Sequence, residues 1–117
     1  MTAAAFNRAL DVVTRVRGVR GALVISAADG LVVAEQLMEG IKGPVVAALA
    51  ASLANRFGRA MQAAGVGAGV FWHLQCADGA LLAVPGPSGT LVVAVAEPDV
   101  NVGLVRLELL RATEALG

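Results

Sequence analysis

The dipeptide Asp-Gly occurs twice in the chain, each time between two short apolar runs. VISAADGLVVAEQ covers residues 24 to 36 with Asp29-Gly30 at its corner, and LQCADGALLAV covers residues 74 to 84 with Asp78-Gly79. Asp-Gly flanked by such runs is a strong short-range signal for a β-hairpin, because both residues tolerate positive φ. Two hairpins commit the chain to antiparallel pairing. They also assign both aspartates to backbone geometry. Acid–base work by the pair would need the two turns to meet, and separate hairpins do not require that.

Other segments follow a helical period. Phe6, Ala9, Leu10, Val13 and Val16 recur at helix spacing, with Arg8, Asp11 and Arg15 between them. Thr2 suits the start of this helix and Gly18 its end. ALVISA (22–27) and LVVA (31–34) read as strands, and QLMEGIKG (36–43) as a loop. Gly43-Pro44 opens a long helix to Ala64, with proline where a missing N–H costs nothing. Val46, Leu49, Leu53, Phe57, Ala60 and Ala64 form its expected core stripe. Strands follow at 68–76, 80–85 and 90–97, with Gly86-Pro87-Ser88-Gly89 as a turn. A last helix runs from about Asn101 to Leu116, capped by Asp99 or Asn101.

The element order is therefore αββαβββα. Hairpins make strand 1 a neighbour of 2, 3 of 4, and 4 of 5. Strands 1 and 5 are the most continuously apolar, which places them at the centre with both faces covered. The predicted fold is an α/β three-layer sandwich of the α+β type. Its five-stranded antiparallel sheet has order 2-1-5-4-3, with strand 3 at an edge.

Composition narrows the function. A length of 117 residues suits one domain, 1–117. The single cysteine, Cys76, cannot form an intrachain disulfide and suits the reducing cytoplasm. Nine basic and nine acidic residues leave no net charge, and the arginines are scattered, so nucleic acid is not an expected partner. MTAAAFNRAL lacks the pattern of a signal peptide. The uncharged stretches 60–77 and 79–96 are broken by glycines, prolines and polar residues, which argues against membrane insertion. An apolar fraction of 57% then exceeds what one small core hides, and the surplus points to a subunit interface.

Two features suggest where that interface lies. Ala47, Ala51, Ala54 and Gly58 fall at i, i+4, i+7 and i+11, a second helix stripe made wholly of small residues. Small residues let two helix axes approach closely. The pattern fits an alanine-rich composition equally well, and the apolar surplus tips the reading to contact with another subunit. Trp72, with Val70 and Leu74 on its face, lies on the predicted edge strand. A bare apolar edge invites pairing with a second chain.

No motif for catalysis, cofactor or metal emerges. GVGAG (65–69) follows a helix and opens a strand, the reverse of a dinucleotide-binding turn. Lys42 in GIKGP lacks the flanks of a phosphate-binding loop. His73 is the only histidine, and Cys76, three residues along the same strand, points to the other face. Ser26 and Ser52 have no evident histidine partner.

VRGVRGALVISAADGLVVA (16–34), the alanine-rich helix 44–64 leading into GVGAGVFWHLQ, and GTLVVAVAEPDVNVGLVRLELLRATEAL (89–116) together resemble the roadblock (dynein light chain roadblock-type) domain family. The resemblance implies a profilin-like roadblock fold with the same strand order. It also implies a homodimer in which second helices pack together and third strands join. On this chain that places Ala47, Ala51, Ala54 and Gly58 at the helix contact, and Val70 and Trp72 near the strand contact. Roadblock proteins are mostly not enzymes. They bind and regulate small Ras-like GTPases or serve as adaptors, and the bacterial gliding-motility type stimulates its GTPase as a dimer. The implied partner surface is the outward side of the second helices: Ser52, Asn55, Arg56, Arg59 and Gln62, with Arg59 foremost. A solvated helix charge is the alternative reading of Arg59. A dimeric scaffold that ignores nucleotide is the alternative reading of the whole. The bias to Ala, Gly, Val and Arg suggests a GC-rich bacterial genome.

Overall fold

A computed structural model describes residues 2–117. The chain opens with α1 (Ala3–Thr14), whose first turn is closed by Thr2 Oγ1 accepting from the Ala5 amide at 3.2 Å. Then come β1 (Val19–Ser26) and β2 (Val32–Leu37), joined through the Asp29-Gly30 turn. The long helix α2 spans Gly43–Ala63. β3 (Trp72–Gln75), β4 (Ala80–Pro85) and β5 (Thr90–Ala96) follow, with a short 3-10 turn at Pro87–Gly89. α3 (Val102–Leu116) ends the chain, capped by Asn101 Oδ1 accepting from the Leu104 amide at 3.0 Å.

The strands form one antiparallel sheet of order β2-β1-β5-β4-β3. The two central strands, β1 and β5, are buried along almost their whole length, as continuous apolar runs require. β1 begins earlier than its apolar run suggests, and β2 continues to Leu37, into residues that read as loop. β3 is the reverse case: four residues rather than nine. The run Gly65–Gly69 ahead of it bends instead of extending, with positive φ at Gly65 and Gly67.

Both Asp-Gly hairpins are present, by different means. Gly30 takes φ +73, and the Asp29 carboxylate accepts from the Leu31 amide at 3.1 Å. That bond, with a second from Ser26, holds the Asp29 pKa below the ordinary aspartate value. Asp78-Gly79 closes through the Cys76 amide on the Gly79 carbonyl at 2.8 Å, without positive φ at either residue.

The sheet has two unlike faces. On one, α1 and α3 lie side by side, and Leu10, Val13, Val105 and Leu109 interdigitate with Val24, Leu82, Val84 and Val92. On the other, α2 lies alone and presents Ala47, Ala50 and Ala51 to Leu23, Ile25, Leu91 and Val93. This corrects the expected assignment of stripes on α2. Ala47 and Ala51, expected between subunits, are 0% and 4% exposed within one chain, and Ala54 packs half-buried beside them. Leu49 and Phe57, expected in the core, are 47% and 49% exposed.

The physical reason is how closely the helix rides on the sheet. A Cβ added to Gly30 would lie 3.2 Å from the Ala48 Cα and 3.3 Å from the Ala47 carbonyl oxygen. Backbone meets backbone there, and only alanine-sized side chains fit beneath the helix axis. Leu49 and Phe57 are turned out of that seat, while Val46 packs half-buried against it.

Candidate interaction surfaces

Because α2 is narrow and β3 short, the α2 face of the sheet is covered only in part. Leu53 and Phe57 overhang the uncovered strands, where Trp72 and Leu74 of β3 and Leu81 of β4 rise from the sheet. Together they enclose an apolar groove of about 130 Å³. Leu49 continues the same flank of the helix. The outer edge of β3 carries no neighbouring strand among the described residues, so its backbone is open beside the groove.

Trp72 forms the wall between this groove and the rest of α2. Its ring packs on the alanine core and lies against Gly69, where an added Cβ would come 2.6 Å from Cζ2. Its buried Nε1–H has no acceptor within the described residues. Val70, also expected at the strand contact, precedes β3 and is 68% exposed. On the other face of β3, His73 stacks at 6.4 Å on Phe71, which lies under the Arg106 guanidinium at 5.3 Å. Cys76 is exposed just past the strand end. Among the described residues no three His, Cys, Asp or Glu side chains gather as a metal site would need.

Of the five expected partner-binding residues, all on α2, Asn55, Arg56, Arg59 and Gln62 flank or border the outer side of the helix beside Ser52. They do not form one patch. Asn55, Arg59 and Gln62 line an open cleft of about 420 Å³, bounded opposite by the β4–β5 turn at Gly86 and Gly89. Asn55 is tied to that end of the sheet, its Nδ2 donating to the Ala27 carbonyl at 3.1 Å. Ser52 and Arg56 lie outside the cleft lining. Gly58, expected at a helix contact, is on the cleft floor, and a Cβ built there meets nothing within 4 Å.

The groove is hidden in the sequence because Leu49, Leu53 and Phe57 read there as core. The signal that could have found it is the pair of parallel stripes on one helix: only one can face a sheet, and the other must face something else.

Residues 6–96 match the Roadblock/LC7 domain. The chain belongs to the Roadblock/LC7 family. It is 30% identical over 110 residues to the uncharacterized protein MJ1340 of Methanocaldococcus jannaschii, covering 94% of this chain and 95% of that one. Its fold is that of Myxococcus xanthus MglB, with a TM-score of 0.87 at 18% identity over 99% of this chain and 94% of MglB. The gliding protein MglB from Thermus thermophilus is 25% identical, with a TM-score of 0.82 over 99% and 90% of the two chains. The structural likeness extends over α3, beyond the residues matched by the family, as well as the central sheet. Family membership and the likeness to MglB support a roadblock-type regulator.

Proposed function

We propose that this Roadblock/LC7 domain is a non-catalytic homodimer that regulates a small Ras-like GTPase in the cytoplasm. The observation that carries the dimer is the half-open α2 face: an apolar groove alongside an unpaired edge strand. Fully burying a side chain the size of leucine or phenylalanine contributes about 1.5–3 kcal/mol, and Leu49, Phe57 and Leu74 all remain exposed in the single chain. A second copy covers both features at once, by laying its α2 along the groove and pairing its β3 with the open edge. In this reading Leu49, Leu53 and Phe57 take the helix contact first assigned to the alanines. Val70 and Trp72 keep the strand contact.

The GTPase rests on family membership and on the likeness to the gliding protein MglB. The outward side of α2 is the partner surface, with Arg59 as its principal residue. Affinity capture from the source organism's lysate tests this, run with GDP and with a non-hydrolysable GTP analogue. A small GTPase held only with the analogue supports regulation. Equal retention makes the protein a nucleotide-indifferent scaffold, and absence of any GTPase removes the proposal.

A further inference from the structure

The cleft at the far end of α2 has a composition that the single chain does not need. Its floor is Gly58, in the interior of a 21-residue helix. Glycine there costs roughly 1 kcal/mol relative to alanine. No neighbour demands it, since an added Cβ would meet nothing within 4 Å. The space above Gly58 is therefore kept open without serving the packing of this chain. Apolar walls from Ala54, Trp72 and Leu91 flank it.

The rim is one-sided in charge. Arg59 is the only ionic residue lining the cleft, and Gln62 beside it adds an amide. No Asp or Glu occurs between Glu39 and Asp78, so α2 and the loop after it carry only Lys42, Arg56 and Arg59. Trp72 contributes the ring edge that lies against Gly69 in the wall, and its Nε1–H is buried without an acceptor among the described residues. Such a site combines an apolar slot with a guanidinium and an amide and offers no carboxylate.

We infer that this cleft takes a short extended segment of a partner protein in which an apolar side chain is flanked by Asp or Glu. The apolar side chain fills the space over Gly58, and the neighbouring carboxylate accepts from the Arg59 guanidinium. A volume of about 420 Å³ is that of a small-ligand pocket and holds two or three residues of such a segment. The inference rests on the reading of α2 as the partner-facing side, and not on the partner being a GTPase.

The sole tryptophan makes the test direct, because Trp72 supplies the only indole N–H signal in a ¹⁵N-labelled sample. The probes are three blocked hexapeptides: Asp-Glu-Leu-Phe-Asp-Glu, its Asn/Gln counterpart, and the acidic peptide with Ser-Ser in place of Leu-Phe. The expected result is saturable movement of the Trp72 indole and the Gly58, Gly69 and Gly86 amides with the first peptide alone. Arg59→Gln weakens that binding by about tenfold, the worth of one charge-assisted hydrogen bond. Gly58→Leu fills the cleft and abolishes it, while Arg8→Gln, exposed on α1 across the sheet, leaves it unchanged. Equal binding of the neutral or the Ser-Ser peptide overturns the inference. So does movement confined to the Leu53–Phe57 groove, or no saturable movement with any peptide. Capture of a GTPase is a separate readout: peptide binding without GTPase capture leaves the cleft assigned and removes only the proposed function.

Discussion

The two faces of the sheet hold their helices in opposite ways. α1 and α3 cover one face as a pair, with leucines and valines driven between them and the strands. α2 covers the other alone, seated on alanines, with Leu49 and Phe57 left outside. The first face is finished within one chain. The second is finished only as far as the alanines reach. Side-chain size alone does not mark the core: the smallest residues of α2 are the most buried, because closeness of backbone to sheet decides what fits.

The sharpest way to break this comparison is Ala51→Arg. If Ala51 sat between subunits, the substitution would split a dimer and spare the fold. Placed in the core, it forces a charge into a closed apolar layer at a cost of several kcal/mol, out of a total stability of about 5–15 kcal/mol. We expect loss of the cooperative urea transition.

Truncation compares the faces more evenly. Leu109→Ala on the closed face leaves a cavity and costs about 2–5 kcal/mol. Leu49→Ala on the open face lowers the stability of the isolated chain by under about 1 kcal/mol, since its side chain is already largely in water. Urea denaturation at low protein concentration, where the chain is monomeric, separates them. Similar losses would dissolve the distinction.

Helix ends give a smaller contrast. α3 begins with a side-chain cap from Asn101, whereas α2 begins at Lys42 with none. Asn101→Ala is expected to cost about 1 kcal/mol and Lys42→Ala almost nothing, read from thermal unfolding.

The smallest effect lies in the first hairpin. The folded state lowers the Asp29 pKa, so this group's contribution is present above the unfolded aspartate value and is lost as pH falls through the folded one. Asp29→Asn should match the parent in acid, below the lowered folded-state pKa, and fall slightly behind it above the ordinary aspartate value of about 4. A constant gap at all pH values would mean that the turn, not the ionised carboxylate, carries the difference.

Strand order is legible in the sequence because its determinants are local. Asp29-Gly30 and Asp78-Gly79 mark hairpins, and the uninterrupted apolar runs of β1 and β5 demand a central place. The orientation of α2 is not legible. Its sequence offers two stripes, Ala47-Ala51-Ala54 and Leu49-Leu53-Phe57, each sufficient for one face. What chooses between them is the close approach of the β1–β2 turn to the helix, where a Cβ on Gly30 would lie 3.2 Å from the Ala48 backbone. That contact joins segments well apart in the chain. The cleft is half legible. Asn55, Arg59 and Gln62 stand out on the helix, but the opposing wall at Gly86–Thr90 reads in sequence only as a turn.

The measurement that tests the central claim most directly is sedimentation equilibrium of the parent chain beside Phe57→Glu, with circular dichroism on both. Phe57 lines the open groove and is half exposed in the single chain, so a carboxylate there leaves the monomer folded. The account predicts a dimer for the parent and a folded monomer for the variant. A monomeric parent, or a variant that remains dimeric, would contradict it.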